Sequence, residues 1–213
     1  MNIFYVDRDP VVSAQMMCDK HVVKMILESA QMLSTAHRVL DGNEYADKKG
    51  LYKMAHKNHP STIWARSSLE NYVWLFDHMV ALMAEYTYRY DKHHATERLK
   101  VPLSEYPKAI PVSGLVLGAF QCDAAFTDPP QCMPEVCKGE DTVLAYQTYY
   151  IIEKSGFARW TKREIPAWFI GETGAKGKPV EIRRCRATVA WETGEPECLP
   201  RAVSVVSFAR EGR

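Results

Sequence analysis

The chain has 213 residues, of which 46% are apolar and 25% charged, a balance that suits one globular domain, with or without an appendage, large enough to bury a core. Its net charge of +1 points to no polyanion by itself, and no apolar run is long enough to span a bilayer. The N-terminus lacks the basic start and apolar stretch of a signal peptide, and the six cysteines form no CxxC pair, so a cytoplasmic protein with free thiols and no membrane association is expected.

Asn2–Val6 is a short apolar run, either a strand or a buried extended arm. Asp9-Pro10 is a helix start, and a helix broken near Cys18 is expected to run to about Leu40 and stop at Asp41-Gly42. Lys48–Pro60 reads as a basic loop. Ser61 or Thr62 can cap a second long helix ending near Tyr90, whose apolar and aromatic residues cover a wide arc. Residues 91–139 hold Pro102, Pro107, Pro111, Pro129, Pro130 and Pro134 and read as irregular connections. Asp141 or Thr142 starts a third helix that Gly156 ends. Residues 172–213 show no helical period, and Thr188–Trp191 and Ala202–Phe208 have strand-like content. The fold class is therefore mainly α: a bundle of three long helices with Pro-rich connections over residues 1–169, and a C-terminal extension over 170–213.

The first long helix carries an unusual polar face. At about 100° per residue, His21, Lys24, Glu28, Gln31 and Thr35 fall in one stripe, opposite Val22, Ile26, Leu33, Ala36, Val39 and Leu40. A proton carrier, an amine and a carboxylate on one helix edge are the groups that acid–base or amine chemistry needs. A solvated stripe with an ordinary Lys24–Glu28 pair explains the same pattern. Met25 and Met32 flank the stripe and favour a cleft over bulk solvent. On the second helix, Asn71, Trp74, His78, Glu85 and Arg89 share a ~60° stripe that reads first as a buried polar network and second as a cleft wall.

Charge is unevenly spread. Residues 1–47 hold seven acids against four Lys/Arg, whereas Lys48, Lys49, Lys53, His56, Lys57, His59 and Arg66 follow with no acid among them. A second basic cluster, Lys154, Arg159, Lys162 and Arg163, is interleaved with Tyr149, Tyr150, Phe157, Trp160 and Trp168. Cations mixed with rings suit a nucleic-acid surface; solvated lysines over core aromatics suit the pattern equally. There is no phosphate-binding glycine loop and no nucleophile elbow, and the His and Cys spacings match no metal template. His37 falls on the apolar side of its helix.

The segment Asp19-Lys20-His21, with Glu28 seven residues after the histidine and Asn58-His59-Pro60 leading into a long helix, resembles the phage and bacterial pyrimidine-dimer DNA glycosylase (endonuclease V-type) family. Ala145-Tyr146-Gln147-Thr148-Tyr149-Tyr150, Ala158-Arg159-Trp160 and Pro166-Ala167-Trp168 are similar to that family's aromatic and basic C-terminal stretch. Residues 1–169 also resemble phage-encoded proteins of unsettled function that carry the same Cys-Asp-Lys-His helix. The resemblance implies a compact helical enzyme that binds duplex DNA as a monomer, needs no metal or organic cofactor, and works in the host cytoplasm if phage-encoded. It implies that an amine attacks C1′ of the damaged nucleotide, with Glu28 as the assisting carboxylate beside His21. The family's amine is the α-amino group exposed when the initiator methionine is removed. Asn2 is large enough that Met1 is expected to stay, so Lys24, Lys20 or a displaced α-amine is left to attack, with Lys24 preferred.

Glu28, His21 and Lys24 are thus the candidate catalytic residues. Lys53, Lys57, Asn58, His59, Arg66, Lys154, Arg159, Trp160, Lys162 and Arg163 are the candidate DNA contacts, expected to form one footprint. The leading function is a DNA glycosylase or AP lyase acting on damaged or modified bases. The alternatives are a non-catalytic DNA-binding or host-takeover phage protein and an enzyme acting on a nucleotide or base as a small substrate.

Overall fold

The computed structural model of the protein describes residues 1–112 and 125–171, together with the backbone of two short strands, β1 (Val116–Leu117) and β2 (Phe120–Gln121). The strands pair antiparallel, Val116 opposite Gln121 and Leu117 opposite Phe120. The described residues all fall within one unit of the chain, Met1–Val180. The strand-like segments expected at Thr188–Trp191 and Ala202–Phe208, and nearly all of the extension, lie outside them.

Asp9 starts α1 (Pro10–Met16) by accepting the N–H groups of Val11 and Val12 at 2.8 and 2.9 Å, with Pro10 at a position that needs no donor. The chain breaks at Met17 and Cys18, both extended, and resumes as α2 (Asp19–Leu40). Asp41 closes α2, and Gly42 at φ 92° turns the chain into α3 (Asn43–Lys48). The expected second helix is two helices, α4 (Pro60–Trp64) and α5 (Leu69–Tyr90). Ser68 is extended and its hydroxyl accepts the Asn71 N–H at 3.1 Å, so the long helix starts there and not at Ser61. The Pro-rich stretch holds a 3₁₀ turn (Ala95–Leu99), α6 (Lys100–Ser104) and a second 3₁₀ turn (Glu135–Cys137). Asp141 caps α7 (Thr142–Tyr149), which widens into a π-helical turn (Tyr150–Lys154) and then tightens into a 3₁₀ turn over Ser155–Phe157, where Gly156 sits.

Helices α2 and α5 run antiparallel. Asp19 at the start of α2 meets Arg89 near the end of α5 at 2.8 Å, and His37 near the end of α2 meets the Tyr72 hydroxyl at 3.1 Å. Val22, Ile26, Leu33, Leu75, Met79 and Leu82 are fully buried between and around them. The stripe expected on α5 is buried, but its hydrogen bonds fall into separate groups toward the two ends of the helix, with His78 between them. Arg89, 2% exposed, donates to Glu85 Oε1 (2.7 Å), Asp19 Oδ1 (2.8 Å) and the Gln15 carbonyl (2.9 Å), while Asn71 donates to the Trp64 carbonyl (3.2 Å). His37 is buried, and burial holds its imidazole below the ordinary value against the opposing pull of Asp41.

Asn2–Val6 is an extended arm buried in this core. Phe4 takes φ 56°, a left-handed backbone that is strained for a bulky residue by about 1–3 kcal/mol. Its ring offsets that cost by packing against His21 (3.9 Å between centroids), Tyr149 (5.9 Å) and Tyr150 (5.4 Å).

Candidate nucleic-acid active site

The exposed edge of α2 centres on Glu28, whose side chain is 14% exposed. Oε1 lies 3.1 Å from the Lys24 Nζ one turn earlier, and Oε2 accepts the backbone N–H of Asn2 at 3.2 Å. The arm is placed for this by its own side chains: Asn2 Nδ2 donates to the Cys132 carbonyl (2.8 Å), and the Tyr146 hydroxyl donates to Asn2 Oδ1 (2.7 Å). The carboxylate therefore sits where the start of the chain crosses the middle of α2.

His59 lies within the electrostatic reach of Glu28. Its Nδ1 accepts the Ser61 N–H at 3.2 Å, which caps α4 and leaves the ring proton of the neutral form on Nε2. Burial, the positive N-terminus and His56 hold this imidazole below its ordinary value, and Glu28 pulls the other way. Ser61 also meets the Cys132 thiol, Oγ to Sγ 3.4 Å.

His21 is buried, not open to solvent. Its Nδ1 shares a hydrogen bond with the buried Tyr150 hydroxyl at 2.5 Å. Burial, then Lys154, Lys24 and Lys20, push its pKa down to about 3, so the ring is neutral at physiological pH. Asp19, beside it in the motif, is an anchor: it accepts Arg89 as well as the Thr161 N–H (2.9 Å) and hydroxyl (2.8 Å). Thr35, expected on the open stripe, is fully buried and bonded to Ala55.

The expected DNA contacts separate into groups. Lys53, Lys57 and Asn58 are exposed on the loop after α3, with Lys53 paired to Asp47 at 2.8 Å across the surface. Arg66 is half-buried and spends Nη1 on the Lys57 and Thr62 carbonyls, both at 2.9 Å. Lys154 lies over the Tyr149 ring at 4.3 Å and Lys20 over Phe157 at 4.6 Å, next to His21. Arg159 is exposed, and its carbonyl receives the Asp19 N–H at 2.8 Å.

Three residues depart from the expectation of a single footprint. Trp160 is only 8% exposed and its indole N–H donates to the Met16 carbonyl at 2.8 Å, so it is core and not a stacking platform. Arg163 is committed to the buried Glu85 carboxylate by two bonds of 2.9 Å. Lys162 pairs with Asp91 at 2.7 Å. The last two lie against the C-terminal end of α5 and Arg66 precedes its N-terminus, roughly 30 Å along a 22-residue helix.

Sequence reasoning missed the arm's part in the site, and Asn2, Tyr146 and Tyr150 with it. The apolar run Asn2–Val6 was the available signal that the arm is buried. Nothing in it told that Asn2 would face Glu28, because that contact spans 26 residues of chain. Among the described residues no three His, Cys, Asp or Glu side chains converge as a metal site, and no helix is long and apolar enough to cross a membrane. Cys18, Cys132 and Cys137 are free thiols.

No curated protein and no solved structure matches the chain. Residues 1–98, which carry the arm, α1 to α5, His21, Lys24, Glu28 and the basic loop, are similar to the family model described as pyrimidine dimer DNA glycosylase, a match that covers a little under half of the chain.

Proposed function

We propose that this protein is a DNA-processing enzyme of the glycosylase/AP-lyase kind, acting on damaged or modified bases in duplex DNA, with Glu28 as its catalytic carboxylate. The observation that carries the reading is the setting of Glu28: a mostly covered carboxylate between an amine (Lys24, 3.1 Å) and the chain's first peptide N–H (Asn2, 3.2 Å). The family match over the same residues supports DNA as the substrate, with pyrimidine dimers the first lesion to test.

In this reading a neutral amine attacks C1′ of the damaged nucleotide and the glycosidic bond breaks, the base leaving with its electron pair and taking a proton. The glycosylamine left on the sugar then opens, the C1′–O4′ bond breaking as O4′ takes a proton, and the amine's lone pair forms the cationic C1′=N Schiff base. Loss of a proton from C2′ then expels the 3′ phosphate. Glu28 stabilises the cationic adduct and relays the protons. Lys24 is 68% exposed on its side chain and can reach a bound sugar once its proton passes to Glu28 or to water. The N-terminal amine, one residue before Asn2, is the competing nucleophile. His21, buried and neutral, holds Phe4 and Tyr150 in place behind the site.

A second reading, a DNA-binding protein without chemistry, is favoured by the resting Lys24–Glu28 ion pair, since a paired ammonium is no nucleophile. Borohydride reduction in the presence of an abasic duplex separates the two. Schiff-base chemistry leaves a covalent protein–DNA adduct that Glu28→Gln, and either Lys24→Ala or N-terminal acetylation, removes. Absence of any adduct and of any strand cleavage by the wild-type chain sinks the enzymatic reading and leaves the binding one.

A further inference from the structure

The basic loop that follows α3 has no helix or strand of its own between Leu51 and Ala55, yet the N–H groups of Tyr52 and Ala55 and the carbonyls of Leu51, Tyr52 and Ala55 are bonded to α2. Three side chains of α2 take them. Ser34 Oγ accepts the Tyr52 N–H at 3.3 Å. Thr35 Oγ1 accepts the Ala55 N–H at 3.0 Å and donates to the Ala55 carbonyl at 3.3 Å. Arg38 donates Nε to the Tyr52 carbonyl at 2.6 Å and Nη2 to the Leu51 carbonyl at 3.1 Å, and reaches Asp47 at 2.7 Å. Ser34 and Thr35 are fully buried and Arg38 is 4% exposed, so these bonds form away from water and are costly to break.

Between the clasped groups, Lys53 and Met54 are exposed, Lys53 paired with Asp47 Oδ1 at 2.8 Å in a surface bridge that phosphate can displace, and Lys57 and Asn58 follow at once. Arg66 holds the far end of the loop through the Lys57 carbonyl. We propose that Thr35 and Arg38 are positioning residues for nucleic-acid binding: with Ser34 they clasp Leu51–Ala55 onto α2 and thereby fix where Lys53 and Lys57 meet phosphate. The proposal rests on the DNA reading above and adds to it a cause for the loop's placement. The loop cations need a fixed register because an ammonium on a wandering backbone loses conformational entropy when it binds.

The test is equilibrium binding of a plain duplex by the full chain as a function of salt. Thr35→Val keeps the shape and removes both hydrogen bonds. It weakens binding about 5–10-fold and lowers the log–log salt slope by roughly one to two phosphate contacts, at ~0.9 each. Thr35→Ser restores both values. Arg38→Lys, which keeps a charge opposite Asp47 but cannot span the two carbonyls, acts in the same direction. Hydrogen exchange reports the clasp without DNA: the Ala55 amide loses protection in Thr35→Val and regains it in Thr35→Ser. A wild-type chain that binds no duplex at low salt sinks the DNA reading and this proposal with it. A wild-type chain that binds, with both variants unchanged in slope, overturns the clasp alone. Loss of fold in both variants also overturns it, because the residues would then serve the fold and not the loop.

Discussion

The Glu28 carboxylate and the Asn2 backbone nitrogen lie 3.2 Å apart across 26 residues of sequence. Glu28→Gln tests what that carboxylate does. Glutamine can still accept the Asn2 N–H through its amide oxygen, so the fold should persist. Base release or strand cleavage should fall by about 100-fold or more, as expected when a proton-transfer group is lost. Duplex affinity should stay the same or tighten slightly, since one negative charge leaves the phosphate-facing edge. Full activity of Glu28→Gln on damaged or abasic DNA would rule the carboxylate out.

Lys57 and Arg163 should behave in opposite ways. Lys57 is exposed on the clasped loop, so Lys57→Ala should lower the salt slope of DNA binding by ~0.9 and leave the melting temperature alone. Arg163 is bound twice to Glu85, a carboxylate whose side chain is 3% exposed. Arg163→Ala should destabilise the protein by about 1–3 kcal/mol and leave the salt slope untouched. A slope that falls equally in both variants restores the single footprint expected from sequence.

Acid should unfold this protein partly through two rings. Burial, with three nearby lysines in the case of His21, pushes His21 and His78 down to about 3, against 6.5 in the unfolded chain. Between those values the unfolded state binds more protons, so stability is fully present above pH 6.5 and is lost as pH falls toward 3, by about 1.4 kcal/mol per pH unit for each ring. Among the described residues neither His78 ring nitrogen has a hydrogen-bond partner, and the ring stacks on Trp74 at 4.9 Å. His78→Phe should keep the stack, remove one proton from the pH dependence, and raise stability at pH 7. Chemical denaturation across pH 4–7 measures the difference; identical slopes for the two proteins refute it.

Trp160 should act as a core residue. Trp160→Phe loses the bond to the Met16 carbonyl and some volume, at a cost of about 1–3 kcal/mol, while duplex affinity stays within about twofold. A large loss of single-strand or duplex affinity without destabilisation would return Trp160 to the binding surface.

The helical fold was readable because its signals are local. Asp9-Pro10 and Asp41-Gly42 act within one turn, and the apolar period of α2 survives in the packed helix. The break at Ser68 was missed because Ser61, Thr62 and Ser68 can each cap a helix, and sequence alone does not rank them. For the site, helix geometry put Lys24 and Glu28 together correctly. The same geometry could not tell that Thr35 and His21 turn inward, because what covers them, Ala55 and Tyr150, lies 20 and 129 residues away. Trp160 and Arg163 were misplaced for a related reason: a cation beside an aromatic looks the same in sequence whether it faces phosphate or a buried carboxylate.

Asn2 gathers its partners from the whole length of the fold: Glu28, Cys132 and Tyr146, the last two 130 and 144 residues away. Contacts of such separation close large loops and form after the local helices. During synthesis, α2 and the clasped loop can assemble while α7 is still inside the ribosome, whereas the amide facing Glu28 is fixed only after Tyr146 has emerged. In a growing chain the loop that carries Lys53 and Lys57 is thus set on α2 well before the partners that fix Asn2 against Glu28 exist.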